Sequence, residues 1–210
     1  MKVSHIVNSV FTSRTYILSQ EGSSFVWLVD CGDVPPLMDY LSTLGGSSFQ
    51  IKGVLLTHVH YDHIYGLSKL KEMFPSLRVY TNEYGKKALT DIRLNYSKYH
   101  NDPIVYESVN VITCDEGSVI ELFDGVQAKV YHTPGHNPSC LTYEVEDYLF
   151  TGDAYIPGVK VVTTLKGGNK VEASESVERI LQLAERKTVC AGHEVVDDDR
   201  DDEGKHSTPF

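Results

Sequence analysis

The sequence has few cysteines and no close pair of them. Cys31, Cys114, Cys140 and Cys190 are irregularly spaced, and no Cys-x-x-Cys occurs. That argues against a disulfide framework and for a reducing compartment. The opening stretch, MKVSHIVNSVFTSRTYIL, is interrupted by polar residues and lacks the apolar segment of a secretion signal. No run approaches the ~20 apolar residues of a membrane span. Basic residues are also in deficit: 19 Lys and Arg stand against 29 Asp and Glu, a formal net charge of −10. Such a chain is a poor general binder of phosphate backbones, which call for clustered cations. The expectation is a cytoplasmic protein acting on a small molecule, with no nucleic-acid partner and no membrane attachment. Oligomeric state is not legible.

Half of the negative charge is local. Asp197, Asp198, Asp199, Asp201, Asp202 and Glu203 outweigh Arg200, and a run of this kind is solvated rather than packed. Residues 1–196 therefore read as a single domain and 197–210 as an acidic tail. The remainder is only mildly acidic, which leaves room for a local basic patch. With 210 residues and 41% apolar composition, the chain can bury a sizeable core.

Hydrophobic periodicity supplies the elements. RTYILS and FVWLVD read as strands joined by a polar turn. A helix follows at about 35–44, where Leu37, Leu41 and Leu44 recur at helical spacing. IKGVLLTH reads as a buried central strand. A second helix is expected from about His63 to Phe74, then the strand LRVYT, then a helix through Leu89 capped by Asn82. The segment from Asp91 to Asp102 is irregular and suits a loop beside a site. The second half is mostly strand: NVITC, SVIEL, QAKVYHT, CLTYEVE and DYLFTGD. A helix at about 174–186, with Val177, Ile180, Leu181 and Ala184 inward, leads to a last strand, TVCAGH. Strands broken by helices in two comparable halves predict an α/β sandwich with helices outside.

The chemistry is concentrated in THVHYDH, at the end of the central strand. In extended backbone His58 and His60 point the same way and can meet one metal ion. Asp62 and His63, where the next helix begins, can turn to a second. Imidazole and carboxylate suit divalent zinc, with manganese or iron as alternatives. Three further turns follow strands and end in potential ligands: TPGH at His136, TGD at Asp153 and AGH at His193. Ordinary polar residues at strand ends are the competing explanation of each, but four such turns together outweigh it.

With these motifs in view, the chain resembles the metallo-β-lactamase superfamily. The His-x-His-x-Asp-His signature is present as THVHYDH, the later His, Asp and His follow in family order, and LVDCG with Asp30 matches an early strand-turn signature. The likeness runs from about Arg14 to His193. It implies an αββα sandwich with two metal ions at one edge of the facing sheets. It also implies that His58, His60 and His136 hold the first ion, that Asp62, His63 and His193 hold the second, and that Asp153 bridges them. A hydroxide between the ions would be the nucleophile, and Asp62 could relay a proton. Asp30 would orient ligand loops by hydrogen bonds; an alternative is a turn-forming Asp ahead of Gly32.

The branch is narrowed by what differs. Asp153 argues against an antibiotic-cleaving member, since these generally lack that carboxylate. A glyoxalase II shares all seven ligands but usually carries an added helical region. A diiron flavin-linked reductase would replace His60 with Glu, and a tRNA nuclease would bring a basic arm. Tyr65, Cys140 and Glu194 depart from the residues common at their positions, which alters the rim of the site. Tyr61, Tyr65 and Tyr155 are candidates for touching substrate, although packing explains a tyrosine as readily. Lys166 and Lys170, in the turn LKGGNK, could hold an anion or simply be solvated. His132 suits a satisfied core position, Cys140 and Cys190 suit inert packing, and His5, His100 and His206 carry no spacing signal. The leading expectation is hydrolysis of a small ester, thioester or lactone. Alternatives are a small-molecule phosphodiesterase, a sulfur dioxygenase with one iron, and a binding module without catalysis. Seven intact ligand positions disfavour the last.

Overall fold

The computed structural model describes residues 1–45 and 49–195. The acidic run, Val196 and His206 lie outside them. The first sheet opens with an antiparallel meander of β1 (Lys2–Val7), β2 (Arg14–Ser19) and β3 (Phe25–Val29). Strand β1 was not expected. KVSHIV leaves its side chains half-buried or exposed, so its apolar signal is weak. What makes it a strand is pairing with β2 along its whole length, from Lys2 opposite Ser19 to Val7 opposite Arg14.

Helix α1 (Val34–Gly45) then crosses to β4 (Gln50–Leu55), which lies parallel to β3. Strands β5 (Arg78–Thr81) and β6 (Val111–Thr113) continue the parallel set. The helix expected at about 63–74 is two pieces, α2 (Tyr61–Ile64) and α3 (Leu67–Met73). The break falls at Tyr65 and Gly66. A Cβ on Gly66 would lie 2.2 Å from the Gly32 carbonyl oxygen and 2.6 Å from Cys31 Sγ. Only glycine lets this turn rest on the Cys31–Gly32 backbone, and that seating aims the preceding histidines. Helix α4 (Glu83–Ala88) begins as predicted, with the Asn82 side chain accepting from the Gly85 amide at 2.8 Å.

The second sheet holds β7 (Val119–Phe123), β8 (Val126–His132), β9 (Leu141–Val145) and β10 (Tyr148–Gly152), all antiparallel in sequence. A parallel edge strand, β11 (Thr188–Ala191), completes it. Between β10 and β11 runs α5 (Lys170–Leu183), which starts earlier than the expected residue 174. Asn169 caps it, its side chain accepting from the Val171 amide at 3.0 Å and reaching the Glu172 amide at 3.4 Å. Ala173, Ser176 and Ile180 form its buried face, whereas Leu181, expected inward, is exposed.

The pleat sorts the core into layers. Ile17, Val26, Leu28 and Val54 point to the helices and pack with Leu37, Leu41, Leu67 and Leu70. Their strand neighbours Tyr16, Leu18, Trp27, Val29 and Leu55 face the second sheet and meet Val130, Tyr143 and Phe150. On the far side Leu149 packs against Ile180 of α5. The order is helix, sheet, sheet, helix, as predicted. Buried hydrogen bonds cross the interface: Trp27 Nε1–H donates to the Leu122 carbonyl at 2.7 Å and Tyr143 O–H to the Leu56 carbonyl at 2.9 Å. Because β8, β10 and β11 run the same way, their carboxyl ends share one edge. There the start of β9 is tied to the end of β4 by the Leu141 amide, which donates to the Thr57 carbonyl at 2.7 Å. No helix among the described residues is long and apolar enough to cross a membrane.

Candidate metal centre

At that shared edge the seven expected side chains converge. His58 and His60 follow β4, Asp62 and His63 lie in α2, and His136, Asp153 and His193 follow β8, β10 and β11. Their potential ligand atoms fall into three overlapping sets, each within 4.8 Å: His58 with His60 and His136, His58 with His63 and Asp153, and Asp62 with His63 and His193. Asp153 is common ground. Its Oδ2 lies 3.6 Å from His136 Nε2, 3.9 Å from His58 Nε2 and 3.2 Å from His193 Nε2, while Oδ1 is 3.5 Å from His63 Nε2. Close backbone passage makes room for it, since a Cβ on Gly192 would stand 2.2 Å from Asp153 Oδ1.

Each imidazole is gripped by its other nitrogen. His136 Nδ1 donates to the Val162 carbonyl at 2.8 Å, His193 Nδ1 to the Phe11 carbonyl at 2.7 Å, and His63 Nδ1 to Asp30 Oδ2 at 2.8 Å. These partners can only accept, so each ring turns Nε2 inward. His58 Nδ1 is 3.2 Å from the Thr57 hydroxyl. His60 turns Nδ1 inward, 3.0 Å from His136 Nε2, with its Nε2 2.9 Å from the Asn137 amide nitrogen. Two atoms aimed at the centre, His58 Nε2 and Asp153 Oδ1, are buried with no hydrogen-bond partner. A buried polar atom left unpaired is costly, and a cation between these groups would satisfy both. The donor set therefore fits metal ions.

Proton affinities divide the centre. Burial, with the surrounding imidazoles, holds His58 well below its ordinary value, and burial with His136 pushes His60 down to about 3. Burial would also lower His63, but Asp62, Asp153 and Asp30 overcome it and hold the ring well above its ordinary value. Against the same burial, Asp153 and Asp62 carry His193 up to about 10. Burial would raise the two site carboxyls, yet the neighbouring histidines keep Asp62 and Asp153 well below the carboxylate range.

Asp30 fits both of its readings. It holds a left-handed turn at φ 59°, and its buried carboxylate accepts from the Thr57 amide and hydroxyl, each at 2.7 Å, as well as from His63. Tyr61 is half-buried at the rim, with the His100 ring stacked on it at 3.7 Å and the Tyr65 ring at 5.5 Å. Tyr65 packs onto the helical core, and Tyr155 packs with Cys140 and Ile180 beneath α5. Lys166 and Lys170 are exposed. The atom of that turn that meets a rim residue is the Lys166 carbonyl, which accepts from the Tyr96 hydroxyl at 3.2 Å. All four cysteines are buried and free.

Two residues, Asn137 and Phe11, went unrecognised in the sequence, and a third, Tyr96, lies in the 91–102 segment expected as a loop beside the site. Asn137 directly follows His136, and that adjacency was the available signal. Its Oδ1 accepts from the Ser139 amide at 2.9 Å, which fixes its NH2 against His60. Tyr96 meets the His60 ring edge-on at 5.0 Å. Phe11 offers its carbonyl to His193. Nothing in local spacing marks the last two.

An uncharacterized protein of Aquifex aeolicus is 37% identical over 150 residues, 69% of each chain. A hydroxyacylglutathione hydrolase of Klebsiella pneumoniae is 27% identical over 180 residues, covering 85% of this chain but only 61% of its own length. The chain thus spans about three fifths of that relative. Among solved structures, the BLEG-1 B3 metallo-β-lactamase superposes with a TM-score of 0.80 at 27% identity, covering 92% of both chains. The metallo-β-lactamase superfamily profile matches residues 10–193, which takes in every one of the converging ligands, and the chain belongs to that superfamily.

Proposed function

We propose that the protein is a metal-dependent hydrolase of a small ester, thioester or lactone, working with two divalent ions. His58, His60 and His136 would hold one ion, Asp62, His63 and His193 the other, and Asp153 both. The observation that carries this reading is the place of Asp153, within reach of histidines from both groups and with Oδ1 otherwise unpaired. Bound there, divalent ions supply hydroxide from water near pH ~7 and polarise a carbonyl oxygen. The imidazole and carboxylate donors favour zinc, with manganese or iron as alternatives.

The chain's own residues do the rest. Asp30, Asn137 and the carbonyls of Phe11 and Val162 fix the rings, so the ligands are set before any ion arrives. His58 and His63 are sealed from solvent at the back, whereas the His193 side chain is 18% exposed and that of Asp62 12%. Substrate would enter from that side. Asp62 lies 3.3 Å from His63 Nε2 and 3.2 Å from His193 Nε2. Its low proton affinity suits it better to holding a cation than to removing a proton.

Kinship to a hydroxyacylglutathione hydrolase supports hydrolysis at a carbonyl, but the shorter span leaves that enzyme's own substrate as one test compound among several. The even coverage with a B3 metallo-β-lactamase adds β-lactams to the panel. A phosphodiesterase would want a cation at the rim; the turn from Lys166 presents a carbonyl there, and the charge at hand is Lys98, whose ammonium lies 4.5 Å over the Tyr99 ring. A dioxygenase with one iron would leave the Asp62–His63–His193 group unused. The test is metal content per chain in protein purified without chelators, followed by ester, thioester, lactone, β-lactam and phosphodiester substrates. About two ions per chain and turnover at a carbonyl are expected. A single iron with oxygen consumption, or no metal after reconstitution, would overturn the reading.

A further inference from the structure

The rim of the metal centre is aromatic to a degree the fold does not require. Phe11 is 67% exposed and Tyr99 70% exposed, and apolar surface left in water forgoes the free energy of burial. Exposed large aromatics grouped around a site mark a binding surface. The rings form two runs. From Phe11 the first passes edge-on to His100 at 6.1 Å, then to Tyr61 at 3.7 Å and Tyr65 at 5.5 Å. In the second, Tyr96 meets His60 at 5.0 Å and Tyr99 at 6.1 Å.

Both runs are anchored to proposed ligands. The Phe11 carbonyl accepts a hydrogen bond from His193 Nδ1–H, and Tyr61 immediately precedes Asp62. Backbone strain marks the same places. Phe11, Thr12 and Tyr96 adopt φ of 52°, 53° and 63°, left-handed values that bulky or branched side chains avoid. Strain of this sort persists where surrounding structure holds it, typically at functional sites. The Thr12 hydroxyl donates to the Phe11 carbonyl at 2.6 Å, and the Glu194 amide donates to the Thr12 carbonyl at 3.0 Å. Around Tyr96, buried Asn95 donates to the Ile104 carbonyl at 3.0 Å and accepts from the Ser97 amide at 2.9 Å. Asp102 near Tyr61 and Asp33 near Tyr65 make the first run unfavourable for anions.

We propose that Phe11, whose carbonyl holds His193, and Tyr99, which stacks on Tyr96 beside His60, are specificity-determining residues that bind an alkyl or aryl acyl group of the substrate. This rests on the hydrolase reading and narrows it to apolar acyl esters, thioesters or lactones.

The test pairs binding with turnover. Metal-loaded protein is titrated by calorimetry with acetate, butyrate, hexanoate and octanoate, and the p-nitrophenyl esters of the same acids are assayed. On a half-open wall, affinity and kcat/KM should rise about twofold per methylene, roughly half the free energy of full burial. Phe11→Ala and Tyr99→Ala should each flatten that slope, and Phe11→Leu should restore most of it. Both side chains are exposed, so a thermal melt within a few degrees of the parent verifies folding. A flat series in the parent, or a slope that neither alanine variant changes, overturns the proposal. So does a dimer that Phe11→Ala dissociates without any chain-length preference, which assigns the rim to a second copy. If no ester is turned over while octanoate outbinds acetate in a Phe11-dependent way, the hydrolase reading falls and the acyl wall stands. Turnover without chain-length preference has the reverse meaning.

Discussion

His60 and His193 belong to two groups of the candidate centre, yet they hold protons with opposite strength. His60 is sealed among other imidazoles and pushed down to about 3, while His193 is carried up to about 10 by Asp153 and Asp62 despite burial. The halves also differ in shelter. His58, His60 and His136 are all buried, whereas His193 is open on one side. The same residue type thus holds its protons weakly in the enclosed pair His58 and His60 and strongly at partly open His193. Counting histidines does not show this; the placement of carboxylates does.

Several changes would break or sharpen that contrast. The largest effect is expected from Asp153→Ala, which removes what the halves share. At least one ion should be lost, and activity should fall by about a thousandfold or more, as for loss of a residue central to a catalytic unit. Elemental analysis and initial rates measure both, and full activity with both ions kept would contradict the shared role. Next comes Asp30→Asn, which weakens the grip on His63. Affinity of the second position should fall about 10- to 100-fold, with the first retained, as read by chelator competition. Asn137→Ala is its mirror and should weaken the first position instead.

A pH series compares the halves without mutation. Metal ions must displace protons from their ligands. His63 and His193 both have raised values, so protons on both compete and the second position should bind more tightly as pH rises, by about tenfold per unit for each proton released. His58 and His60 have lowered values, so their protons do not compete in this range and the first position should change less. Equal pH slopes in chelator competition between pH 6 and 8 would remove the distinction. The smallest effect lies away from the centre. Arg179 pairs with Glu116 at the surface, and against partial burial it lowers the Glu116 carboxyl below its ordinary 4.5. That stabilisation is present above 4.5 and fades as pH falls through the lowered value. Glu116→Gln should cost less than about 1 kcal/mol in a denaturant melt at pH 7.

The candidate metal ligands stood out because the chain concentrates them: four lie within six residues, and the other three each close a turn after an apolar strand. The layered fold was readable for the same reason, since runs such as IKGVLLT and DYLFTG leave little choice of structure. What escaped depends on partners remote in sequence. KVSHIV becomes a strand only because β2 lies beside it. The break at Gly66 comes from the approach of Cys31 and Gly32, and Asn169 had to be seen folded back to mark the start of α5. Phe11 and Tyr96 join the site through φ values that no residue pattern announces. The substrate residues read from the sequence fared unevenly: Tyr61 stands at the rim, while Tyr155 is taken up in packing under α5.

His63 and His193 face each other at 3.2 Å although 130 positions separate them in the chain. An ion held by both would close one very large loop, as a disulfide does in chains that own one. With all four cysteines reduced, the chain would draw its long-range covalent-like restraint from coordination alone. Such a restraint is reversible: removing the ion reopens the loop, and the protein's resistance to unfolding becomes a function of free metal concentration.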